Sequence, residues 1–142
     1  MTVCNKSTGY YTKVETMPRI LLVDDDPDIL DIIRLDLHDD EANNVDTSNT
    51  AAEAIEKVRN NQYDVIISDW RMPGMNGTDL IRKLRDDGCS SYIILYTGYS
   101  LSNDIRTTLE CGADFYLHRG GDPEQEFAEL HRVIRMMPGR KS

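Results

Sequence analysis

The chain has 142 residues, 16 of them basic and 25 acidic, for a net charge of −9; this suits one domain with short ends and leaves no room for two folded units. The acidic balance excludes the basic footprint that phosphate backbones require, so nucleic acid is not an expected partner. Cys4, Cys89 and Cys111 are widely spaced, with no CxxC pair and no Cys/His cluster, and no apolar run is long enough to span a bilayer; a disulfide framework, a zinc site and a membrane span are therefore not expected, and a reducing, cytoplasmic setting is.

Residues 1–17 are mostly polar and show no periodicity, which predicts a flexible tail, with the domain running from 18 to 138 and a short tail at 139–142. From Pro18 onward, short apolar runs alternate with amphipathic segments of helical length. Strands are predicted at RILLV (19–23), the weaker NVDTS (44–48), VIIS (65–68), YIILY (92–96) and FYL (115–117). Three of these are continuously apolar, as parallel strands covered on both faces are.

Helix punctuation falls between the strands. Asp26 ahead of Pro27 offers an N-cap and a first-turn proline, followed by Ile29, Ile33 and Leu37 on one face. Thr50 with Glu53 fits a capping box before Ala54, Ile55 and Val58. TDLIRKLRDDG starts after Asn76 and Gly77 and stops at Gly88, and a further helix is expected from Ser102 to Gly112. Asp122 and Pro123 open the last helix, with Phe127, Leu130, Ile134 and Met137 at helical spacing. Five strand-then-helix units predict a doubly wound α/β sandwich.

In such a sheet, chemistry gathers beyond the carboxyl ends of the strands. Those ends carry Asp24 and Asp25, then Asp69, then Thr97, then His118 and Arg119. Asp26 is accounted for as a helix cap. Asp24, Asp25 and Asp69 would repel one another unless a hard cation joined them, and oxygen-only ligation completed by water and phosphate suits Mg²⁺. A carboxylate can also attack phosphorus to give an aspartyl-phosphate, with Thr97 donating to one phosphoryl oxygen and Arg119 pairing with another.

The motifs ILLVDDDPDI, VIISDWRMPGMNG, LYTG and CGADFYLHRGGDP, in this order and spacing, resemble the receiver domain of two-component response regulators, from residue 19 to about 137. The resemblance implies a five-stranded parallel sheet in the flavodoxin-like order 2-1-3-4-5. It implies Asp69 as phosphoacceptor and Asp24, Asp25, Asp69 and the Arg71 backbone carbonyl as Mg²⁺ ligands. Thr97 corresponds to the switch hydroxyl, Tyr116 to the switch aromatic, and Arg119 stands where the family has lysine. Gly120 replaces a proline, so Arg119 is expected on a loosened loop.

The expected activity is receipt of a phosphoryl group from a sensor histidine kinase or histidine phosphotransfer protein, followed by a conformational signal to a downstream protein. A turnover enzyme is not expected. One rival is a degenerate receiver that only binds partners, prompted by Arg119 and Gly120. Another is a Mg²⁺-dependent phosphatase, which would want an acid two residues after its nucleophile, where Arg71 stands.

Overall fold

The computed structural model describes residues 2–5, 10–13, 18–38, 44–98 and 110–136. Strands β3 (Arg19–Val23), β4 (Asn44–Ser48), β5 (Val65–Ser68), β6 (Tyr92–Thr97) and β7 (Phe115–His118) form one sheet in the order β4-β3-β5-β6-β7, parallel throughout. Counted within that sheet the order is 2-1-3-4-5, as expected. The helices are α1 (Pro27–His38), α2 (Ala51–Asn60), α3 (Gly77–Asp86) and α4 (Pro123–Met136). The helix expected from Ser102 falls mostly outside the described residues.

Side chains alternate across the sheet, which is why its central strands read as unbroken apolar runs. Leu21, Val23, Ile66, Ile93 and Leu95 pack with Ala54 of α2 and with Leu80, Ile81 and Leu84 of α3. Ile20, Leu22, Val65, Ile67, Ile94 and Tyr96 pack with Leu30, Ile33 and Leu37 of α1 and with Leu130, Val133 and Ile134 of α4. Among the described residues the polar β4 is an edge strand beside β3, and its Asp46 carboxylate is satisfied by the Tyr63 hydroxyl at 2.7 Å and by Arg19.

The expected caps form. Asp26 Oδ1 accepts from the Asp28 N–H at 3.0 Å, Thr50 Oγ1 from Glu53 N–H at 3.1 Å, and Asp122 Oδ1 from Glu124 N–H at 3.0 Å. After α3, Cys89 N–H donates to Leu84 O and Gly88 N–H to Arg85 O. That is a Schellman ending, and Gly88 takes the required positive φ of 91°.

Before Pro18 the structure differs from the irregular tail that the sequence suggests. Thr2–Asn5 (β1) and Tyr10–Lys13 (β2) pair antiparallel as a separate two-stranded sheet. The reason is local: Val3, Tyr10, Tyr11 and Thr12 are β-formers, and they fall within the two paired segments.

Candidate functional site

The parallel ladder runs on beyond the strand ends and fixes the loops that follow. Asp24 N–H donates to Ser48 O at 3.1 Å, Asp69 N–H to Val23 O at 3.0 Å, and Arg119 N–H to Thr97 O at 2.7 Å. Residues nearly a hundred positions apart are thereby held along one sheet edge.

There the structure brings Asp24, Asp25 and Asp69 together: each offers one carboxylate oxygen, and these oxygens lie within 4.8 Å of one another. Asp24 and Asp69 are buried, at 4% and 7% exposure, while Asp25 is exposed. The three consecutive aspartates thus do different things. Asp24 points into the cluster and accepts from Asp26 N–H at 2.9 Å, Asp25 meets solvent at its rim, and Asp26 caps α1. Burial pushes the Asp24 carboxyl up to about 6; the Asp26 N–H opposes this, Asp69 adds to it, and Arg119 opposes it. Asp69 Oδ1 accepts from Trp70 N–H at 2.8 Å.

Arg119 joins the cluster. Its Nη1 lies 3.2 Å from Asp24 Oδ2 and its Nη2 4.0 Å from Asp69 Oδ1. Thr97 ends β6 fully buried, in register with His118. Arg71 lies two residues past Asp69 in the same loop, its guanidinium 5.2 Å from the Trp70 ring centroid. Tyr116 is set back within β7, opposite Leu95, and packs on the core beneath α2 and α3.

Three contributors were not legible as site residues. Gly77, the first residue of α3, sits against the strand end: a Cβ there would stand 2.0 Å from Asp69 O. Tyr96 lies under Arg119, whose guanidinium carbon is 5.3 Å from the ring centroid. Glu126 of α4 is buried at 8% exposure and accepts from Tyr96 O–H at 3.0 Å and from Gly120 N–H at 3.3 Å. The signal for Glu126 was an acid four residues before Leu130, on the inward face of the helix. The glycine loop is therefore fastened, not loosened as its composition suggested. Gly120 adopts φ 135° and donates an N–H; a proline could do neither.

The oxygen-only donor set, two buried carboxylates and an exposed one, fits a hard divalent cation that keeps several waters. Among the described residues, no helix is long and apolar enough to cross a membrane.

Comparison with known proteins agrees with this architecture. Residues 20–131 match the response regulator receiver domain model. Response regulator ArlR of Staphylococcus aureus (strain Mu50) is 33% identical over 122 residues, covering 86% of this chain and 55% of ArlR; ArlR of Staphylococcus haemolyticus gives the same figures. The chain thus spans about half the length of these curated relatives. A CheY-like receiver domain protein from Methanospirillum hungatei superposes with a TM-score of 0.75 at 29% identity, covering 85% of this chain and 96% of the other. Response regulator TrrA from Thermotoga maritima, solved in complex with Mg²⁺-BeF, gives 0.73 at 31% identity, covering 85% and 99%. With a family match over most of the folded chain, and sheet order and strand-end chemistry to go with it, the chain belongs to the response regulator receiver domain family.

Proposed function

We propose that Asp69 accepts a phosphoryl group from a phosphohistidine of a partner kinase or phosphotransfer protein in the cytoplasm, and that the change is passed to a downstream protein. The observation that carries this reading is the meeting of buried Asp69 with Asp24, Asp25 and the Arg119 guanidinium at one strand end. An Asp69 carboxylate oxygen attacks phosphorus, the phosphorus–nitrogen bond breaks, and the imidazole leaves with the electron pair. Asp24, Asp25, Asp69 and the Arg71 carbonyl would hold Mg²⁺, which neutralises phosphoryl charge when bound. Arg119 supplies a forked donor for a phosphoryl oxygen, and Thr97 a hydroxyl for another. Tyr116 and α4 belong to the face that reports the change, by a shift in population between two packings. Turnover of small phosphoesters is not part of this reading.

The test is intact mass after incubation with a small acyl phosphate and Mg²⁺. The expected result is a single hydroxylamine-labile phosphate on the wild type and none on Asp69→Asn; its persistence in the variant would sink the assignment. A second reading, a partner-binding module that is never phosphorylated, draws on the Arg119–Asp24 pair, which already supplies a cation to the cluster. Mg²⁺ that fails to perturb Trp70 fluorescence would favour it.

A further inference from the structure

Arg119 stands on a loop with glycines at 120 and 121, yet backbone and side-chain contacts restrain it, Asp69 at 4.0 Å among them. Its backbone N–H donates to Thr97 O at 2.7 Å. Its guanidinium contacts Asp24 on one side and lies over the Tyr96 ring on another. Tyr96 is itself tied down: it is buried, and its hydroxyl donates to Glu126 Oε1, the same oxygen that accepts the Gly120 N–H next to Arg119. Burial, and then Glu126, push the Tyr96 phenol well above its ordinary range, so it remains a donor at working pH. One carboxyl oxygen from the first turns of α4 thus fastens both the platform beneath the guanidinium and the backbone that carries it.

We infer that Tyr96 and Glu126 are positioning residues for Arg119, forming a clamp that aims the guanidinium at the phosphoryl group and links its position to α4. This rests on Asp69 being the phosphoacceptor. A guanidinium donates through a planar fork, so its usefulness depends on orientation more than an ammonium's does. Glycine at 120 contributes the φ of 135° and the N–H that let the loop close on Glu126. Without the clamp, Arg119 keeps its charge and loses its aim, and misplacement of a positioning group slows transfer without abolishing it.

The experiment is the initial rate of phosphate gain on the intact chain, from a small acyl phosphate at saturating Mg²⁺, with thermal midpoints measured alongside. Tyr96→Leu and Glu126→Ala should each slow the reaction about tenfold. Glu126→Gln, which keeps an acceptor oxygen, should return to within about twofold of wild type. In an Arg119→Ala background, Tyr96→Leu and Glu126→Ala should add less than about twofold, because the group they aim is gone. Losses that multiply fully in that background would overturn the clamp, as would a normal rate in Tyr96→Leu. Should Glu126→Ala fail to fold, Tyr96→Leu in the two backgrounds carries the same test. No phosphate gain in the wild type, or a gain that persists in Asp69→Asn, overturns the phosphoacceptor reading and the clamp with it; a gain confined to Asp69 with multiplying losses overturns the clamp alone.

Discussion

Gly77 and Asp69 touch through their backbones: a Cβ on Gly77 would lie 2.0 Å from the Asp69 carbonyl oxygen and 3.0 Å from its carbonyl carbon. The first turn of α3 therefore approaches the end of β5 as closely as glycine permits. Both sides of the contact are main chain, so neither can rotate out of the way.

Gly77→Ala should consequently move α3 or the Asp69 loop. The φ of Gly77 is not in the left-handed region, so the cost is steric, and overpacking of this kind is worth about 3 kcal/mol. Urea unfolding should show that loss, with altered Trp70 fluorescence in the folded state. An unchanged midpoint would mean that the helix start is free to shift.

Arg119 lends positive charge to two buried carboxylates, at 3.2 and 4.0 Å. A divalent cation seeking the same oxygens competes with it. Arg119→Ala should therefore raise Mg²⁺ affinity by about three- to tenfold in a fluorescence titration while slowing phosphate gain. A fall in affinity would instead make Arg119 a support for the ligand geometry.

The Asp24 carboxyl, held at about 6, sets a pH dependence with a definite sign. Between about pH 4 and 6 the native protein keeps a proton that the unfolded chain has released. Native-state stability of the metal-free protein should thus fall as pH rises through that window, by about 3 kcal/mol if the shift is fully expressed. Mg²⁺ must displace the same proton, so its affinity should climb with pH up to about 6 and then level. Asp24→Asn should remove the Asp24 share of the stability slope; an identical slope in that variant would assign it to other carboxyls.

Arg85 tests the scaffold apart from the site. Its guanidinium donates to the carbonyls of Gly112, Cys89 and Ser91 and to the Asp114 carboxylate, and Asp114 Oδ2 also accepts from Ile93 N–H at 2.8 Å. Arg85→Ala strands several part-buried carbonyls and should cost about 3 kcal/mol. Arg85→Lys should recover only part of it, since an ammonium cannot serve diverging acceptors as a fork does. Mg²⁺ affinity of the folded protein should be unchanged in both; a parallel loss of affinity would show that the two ends of the sheet are coupled.

The sequence by itself determined the three central strands of the five-stranded sheet nearly to the residue, because continuous apolar runs bounded by capping residues leave little choice of period or boundary; the polar edge strand NVDTS followed from its place between two helical segments. It also determined which residues meet at the sheet edge: parallel strands present all their carboxyl ends on one side, so Asp24, Asp25, Asp69, Thr97 and Arg119 had to gather there. The fastening of the 119–121 loop was decided only in three dimensions. Gly120 and Gly121 read as slack because local composition reports backbone freedom and not partners, and the partner, Glu126, comes from another element. The closeness of Gly77 to Asp69 and the hairpin of Thr2–Asn5 with Tyr10–Lys13 were hidden for related reasons. The first depends on how a helix seats against a strand end, and the second on a pairing between two segments too short to show a period. The elevated Asp24 carboxyl belongs to the tertiary structure as well, since DDD is solvated or buried according to what packs around it, and here burial fell on the first aspartate and spared the next two.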